Sequence, residues 1–79
     1  MNIDLLLYAS LGKYLPEGAT ARQVTIRVPA GSNVRDLMHR CGIPESEVKL
    51  IFVDGVRGNP DTVLAEHNRV GLFPPVGGG

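Results

Sequence analysis

Only one stretch of this 79-residue chain repeats its apolar side chains at a helical interval, so the remainder must be built from short extended runs. Val34, Leu37, Met38 and Cys41 stand at i, i+3, i+4 and i+7, the spacing of one apolar helix face. Ser32 or Asn33 can cap that helix, and an Asn33 cap places Asp36 in the first turn, where negative charge suits the helix dipole. Gly42 follows where a left-handed closing residue belongs, and Pro44 bars continuation. A lone amphipathic helix must bury its stripe against something, and a sheet covered on one side is the simplest partner. The length leaves room for one such core and no second.

The extended runs supply that sheet. Asn2 to Ala9 reads as a strand with Ile3, Leu5 and Leu7 on one face and Leu6 and Tyr8 on the other. Gly12, Pro16 and Gly18 mark a loop with a helical turn near Ala9 to Tyr14. Gln23 to Val28 alternates, with Gln23, Thr25 and Arg27 outward and Val24, Ile26 and Val28 inward. Beyond the helix, Leu50 to Val53 turns at Asp54-Gly55 into a short return strand, Val56-Arg57. Val63-Leu64 is expected to plug the open end of the core. Val70 to Phe73 is the last strand, and Pro74-Pro75 ends its ladder pairing. The order is strand, strand, helix, strand, short strand, strand, with the helix as crossover and the last strand placed beside the first. This predicts an α+β, ubiquitin-like β-grasp fold, a mixed sheet of four to five strands packed on one main helix. Residues 1–76 form the single domain and 77–79 a flexible glycine tail.

Several functions are disfavoured by composition. Eight basic and eight acidic residues cancel, and no basic stripe marks a nucleic-acid surface. The longest apolar run, Leu5 to Ala9, is far short of a membrane helix. The opening Met1-Asn2-Ile3-Asp4 carries no signal-peptide character, and a single cysteine suits a reducing cytoplasm, so a cytoplasmic protein is expected. His39 and Cys41 are two residues apart on a helix, and His67 is distant, so no metal site is expected. Neither a phosphate-binding glycine loop nor a nucleophile elbow is present. The expectation is a protein with no catalytic residues and no bound cofactor.

Glycine is the compositional anomaly, at 10 of 79 residues against the usual ~7%. Three of the ten are Gly77, Gly78 and Gly79, which have no evident fold purpose. They follow two prolines that hold the backbone extended where the last strand stops. At ~3.3–3.6 Å per residue, Val76 to Gly79 reaches roughly 13–14 Å. A peptide almost without side chains can thread a narrow channel and present a carboxylate at its end.

The segment Phe73-Pro74-Pro75-Val76-Gly77-Gly78-Gly79 resembles the Phe-Pro-Pro-Val-x-Gly-Gly terminus of the molybdopterin synthase small subunit. Ile3-Asp4-Leu5-Leu6-Leu7-Tyr8-Ala9 with Leu11 and Leu15, Asn33-Val34-Arg35-Asp36-Leu37, and Val53-Asp54-Gly55 are similar to the same family. The chain thus resembles MoaD/ThiS-type ubiquitin-like sulfur carriers over nearly all its length. That resemblance implies chemistry on Gly79: an E1-like adenylating enzyme uses ATP to couple the carboxylate to AMP. A persulfide sulfur donor then converts it to a thiocarboxylate. The acceptor is the molybdopterin synthase large subunit or another sulfur acceptor enzyme, with Gly77 and Gly78 threading its active site. A carrier for thiazole or another metabolite, and a ubiquitin-like modifier conjugated through Gly79, share the same tail and stay open.

Strand parity adds a docking surface. With Ile3, Leu5, Leu7, Ile26, Ile51, Val53, Val70 and Leu72 facing the helix, Leu6, Phe52 and Phe73 face outward near the root of the tail. Large apolar side chains on a free sheet face suit a partner. Cys41 lies on the helix stripe and is expected in the core; His39, His67 and Arg57 are expected on the surface.

Overall fold

A computed structural model describes residues 1–75; Val76 and the tail glycines Gly77, Gly78 and Gly79 lie outside the described residues. The strands are β1 (Asn2–Leu7), β2 (Gln23–Arg27), β3 (Leu50–Val53), β4 (Val56–Arg57) and β5 (Arg69–Phe73), with an α-helix, α1 (Val34–Arg40), and a short 3₁₀ turn, Glu45–Glu47, between β2 and β3. They form one sheet in the order β2-β1-β5-β3-β4. β1 and β5 run parallel, with Asp4↔Arg69 through Leu7↔Leu72 paired, and the other neighbours are antiparallel. The last strand therefore occupies the centre, as the β-grasp reading requires.

Two-fold alternation sorts each strand. Ile3, Leu5 and Leu7 of β1, Ile51 of β3, and Val70 and Leu72 of β5 are buried on the inner face. Against them α1 sets Val34, Leu37 and Met38, all fully buried. Leu11, from a 3₁₀ helix over Ala9–Tyr14, closes one side and Ile43 another. No aromatic residue is among the buried ones; the core is aliphatic with one methionine.

The helix ends are fixed locally. Asn33 Oδ1 accepts from Asp36 N–H at 2.8 Å, and Asp36 Oδ2 accepts from Asn33 N–H at 3.0 Å, a reciprocal capping box. At the other end Ile43 N–H donates to Met38 O and Gly42 N–H to His39 O. These are the two bonds of a Schellman motif, and Gly42 takes its positive φ of 71°. The β3–β4 turn has positive φ at both Asp54 and Gly55, the backbone of a two-residue hairpin whose twist matches its strands.

Four details depart from expectation. β1 ends at Leu7 rather than Ala9, because Ala9 adopts φ 51° to start the 3₁₀ helix. Of the proposed plug only Leu64 is buried; Val63 is 68% exposed, since its backbone bridges Asn33 and turns the side chain out. β5 opens at Arg69, one residue before the expected Val70. Cys41 is half-buried at the helix cap, packed against the edge of the core rather than enclosed in it, because it is the stripe's last position.

Candidate functional site

The root of the tail is held from both sides. β5 ends at Phe73, where Leu50↔Phe73 is the last pair with β3 and Leu7↔Leu72 the last with β1. Lys49 N–H donates to Phe73 O at 2.8 Å and Tyr8 N–H to Leu72 O at 3.2 Å. The next two residues are Pro74 and Pro75, which have no N–H to continue either ladder. β5 is paired on both sides, so Phe73 and the two prolines after it are rooted at the centre of the sheet. The expected reactive residue Gly79 and the threading residues Gly77 and Gly78 lie beyond this point.

The outer face beside that root is aromatic. Leu6 and Phe52 both pair with Gly71, one from each side, so they flank β5 in one row. Phe73, one step along the same face, stacks on Tyr8 with ring centroids 4.1 Å apart and planes within 6°. Phe52 meets Phe73 edge-on at 5.8 Å and 84°. Parity thus brings the three expected residues, Leu6, Phe52 and Phe73, together around a shallow depression of about 180 Å³.

Three residues of this face were missing from the expected set. Tyr8 is half of the stack, and its parity with Leu6 was the available signal. Gly71 leaves room beneath the rings: a Cβ there would stand 3.4 Å from Tyr8 Cε2 and 3.7 Å from Phe73 Cε1. Arg22 places its guanidinium 5.1 Å from the Tyr8 ring centroid, within cation–π range. Nothing in local periodicity reports a contact between a loop arginine and a strand tyrosine.

Arginines outnumber carboxylates around the patch, where Asp4 lies opposite Arg69 in the ladder and accepts from the Thr25 hydroxyl. Arg22, Arg57 and Arg69 stand at or near the patch, and none has a carboxylate within ion-pair distance among the described residues. Three of the chain's four aromatic residues lie on this face and none in the core. Aromatic and arginine side chains are what buried interface centres favour, so this composition suits a partner rather than water.

The remaining candidates are structural. Burial pushes the Cys41 thiol up, only partly offset by Arg40, so it is a poor source of thiolate. His39 is exposed; His67 is exposed and stands 3.8 Å from Glu66. Among the described residues no group of three or more His, Cys, Asp or Glu is arranged to hold a metal ion, and no helix is long and apolar enough to cross a membrane.

The profile of the Mut7-C ubiquitin family matches residues 1–77. No curated protein matches the chain significantly. Among solved structures, SAMP1 from Haloferax volcanii is 24% identical, with TM-score 0.71 over 100% of both chains. A second structure, of H. volcanii small archaeal modifier protein 1, gives TM-score 0.73 at 19% identity over 95% of this chain and 98% of that one. A Pyrococcus furiosus protein described as molybdopterin converting factor, subunit 1, is 25% identical, with TM-score 0.70 over 95% of this chain and 98% of its own. The H. volcanii likenesses show the shared β-grasp fold, and the family match extends past the last strand into the tail. With the MoaD/ThiS-type ubiquitin-like architecture in place, this chain belongs to the Mut7-C ubiquitin family.

Proposed function

We propose that this protein is a sulfur carrier that acts through a thiocarboxylate on Gly79 and donates sulfur in molybdopterin assembly. The fold supports a sulfur carrier or a ubiquitin-like modifier, both of which use an E1-like activating enzyme. The observation that carries the reading is the tail root: a central strand ends at Phe73, prolines follow at once, and an aromatic face flanked by Arg22 lies beside them.

The chemistry follows from the electrophile. A carboxylate resists nucleophiles, so a Gly79 oxygen first attacks the α-phosphorus of ATP on the activating enzyme, and pyrophosphate leaves. The terminal sulfur of a protein persulfide attacks the carbonyl carbon of the acyl-adenylate and expels AMP. A second thiol of the donor cleaves the S–S bond, which leaves a disulfide on the donor and a thiocarboxylate on Gly79. The acceptor, the molybdopterin synthase large subunit or another sulfur acceptor enzyme, receives that sulfur. This chain contributes the docking face and the arm, and no catalytic group.

The likeness to the P. furiosus converting-factor subunit favours molybdopterin over thiazole as the destination. A modifier conjugated to lysines through Gly79 is the second reading, favoured by the fold shared with a protein named as a modifier. Incubation with an activating enzyme, ATP and a persulfide donor, followed by intact mass, separates the two. Replacement of one oxygen by sulfur supports the carrier, and lysine-linked adducts in cell extract support the modifier. Neither product with any activating enzyme sinks both. A variant lacking Gly79 should fold normally and lose activation.

A further inference from the structure

β2 lies at one edge of the sheet, and its register identifies the backbone groups that edge presents. Val28 N–H donates to Met1 O and Leu7 N–H to Arg22 O, both at 2.9 Å. With Ile3↔Ile26 and Leu5↔Val24 between them, the residues bonded toward β1 are Val24, Ile26 and Val28. Gln23, Thr25 and Arg27 therefore aim N–H and C=O away from the sheet. Gln23 uses both groups on Thr20. Those of Thr25 and Arg27 have no protein partner among the described residues.

An open groove of about 320 Å³ runs beside them, between this edge and the end of α1, lined by Tyr14, Pro16, Ile26, Arg40 and Cys41 as well as the edge residues. Its rim is basic. Arg27 and Arg40 line it, Arg22 lies further along the same strand end, and none is ion-paired among the described residues.

We infer that the β2 edge is a docking site for an extended, acidic peptide segment of a partner protein, which adds to the sheet as one more strand. The free N–H and C=O groups of Thr25 and Arg27 supply the ladder, and alternate apolar side chains of the peptide enter the groove against Ile26. Charge selects the occupant. Pairing of β2 with β2 of a second copy would bring two sets of unpaired arginines together, whereas Asp or Glu flanking an apolar run neutralises them. β1 separates this edge from β5, so the site is independent of the tail chemistry and can be filled while the tail is engaged.

The test uses the whole chain and two end-blocked synthetic peptides, each with four alternating valine and isoleucine residues flanked by aspartates in one and lysines in the other. At millimolar acidic peptide, amide hydrogen exchange at Thr25 and Arg27 should slow by about ten-fold or more, with the Gly71 amide chemical shift unchanged. The lysine peptide should give no protection. A double charge reversal, Arg27→Glu with Arg40→Glu, alters exposed side chains only and should weaken the acidic peptide by about ten-fold. The inference is overturned by unprotected Thr25 and Arg27 amides, by equal protection from the lysine peptide, or by protection that depends on protein concentration alone. Effects confined to Tyr8 and Phe73 would overturn it too, since they place the peptide on the aromatic face.

Discussion

Truncation of Phe73 to alanine removes a ring stacked on Tyr8 at 4.1 Å and met edge-on by Phe52 at 5.8 Å. A fully buried aromatic side chain hides ~150–250 Å²; Phe73 is half-buried, so about 100 Å² is at stake. At ~25 cal/mol per Å² the loss is at most about 2.5 kcal/mol. Within it, the coupling to Tyr8 contributes about 0.5–1.5 kcal/mol. A chain of this length has a stability of roughly 4–12 kcal/mol, so Phe73→Ala remains folded with a Tm lower by at most about 10–20 °C. Urea melts of wild type, Tyr8→Ala, Phe73→Ala and the double variant close a thermodynamic cycle. Tyr8→Ala also loses the Arg22 contact, and the cycle cancels that loss. Coupling below about 0.3 kcal/mol would show the stack to be mere proximity. An unfolded Phe73→Ala would show that the face belongs to the core. The folded variant should bind an activating enzyme more weakly, and unchanged affinity refutes its role in docking.

Three further outcomes follow from local geometry. Asn33→Ala removes the Oδ1 that accepts from Asp36 N–H, leaves the backbone N–H at position 33 free to donate to Asp36 Oδ2, and should cost about 1 kcal/mol in a urea melt; no change would mean that water replaces the side-chain cap fully. Leu37→Ala empties a fully buried position under the sheet and should cost about 2–5 kcal/mol, and a loss below 1 kcal/mol would place that side chain outside the tightly packed core. Tyr14 donates to Glu47 Oε2 at 2.7 Å, a hydrogen bond that holds the Glu47 carboxyl below its ordinary range and pushes the Tyr14 hydroxyl above its own. The depressed carboxyl stabilises the fold above its unfolded pKa, an effect lost as pH falls through the lower folded value; the raised phenol stabilises it below about 10, an effect lost as pH rises through the higher folded value. Tyr14→Phe should therefore move the Glu47 titration midpoint upward in an NMR titration, and an unmoved midpoint contradicts the assignment.

Local pattern carried much of this architecture. The Asn33 cap, the Gly42 closure and the Asp54-Gly55 hairpin each sit within a few residues of the signal that announces them. Parity separated Ile3, Leu5 and Leu7 from Leu6, and so found the outer face before any register was known. The stack itself depends on which β1 residue lies beside which β5 residue, and that register is set by pairing across more than 60 residues of sequence. The same non-local geometry brings Arg22 over Tyr8 and turns Val63 outward. Asp54 shows another limit: its turn was legible, but not its carboxylate bonds to Asn68 and to the Arg69 N–H, which tie the hairpin to the start of β5.

The parallel pairing of β1 with β5 also determines how the molecule responds to force. The first strand and the last lie side by side, and their far ends point in opposite directions. Tension between Met1 and Phe73 therefore acts along both strands, in shear, and loads the rungs from Asp4↔Arg69 to Leu7↔Leu72 together instead of opening them one at a time. Forced unfolding is governed by the unfolding rate, and a bond set that must fail at once resists it better than one that unzips. A partner that draws on the end of β5 while Met1 is held thus loads β5 lengthwise against β1.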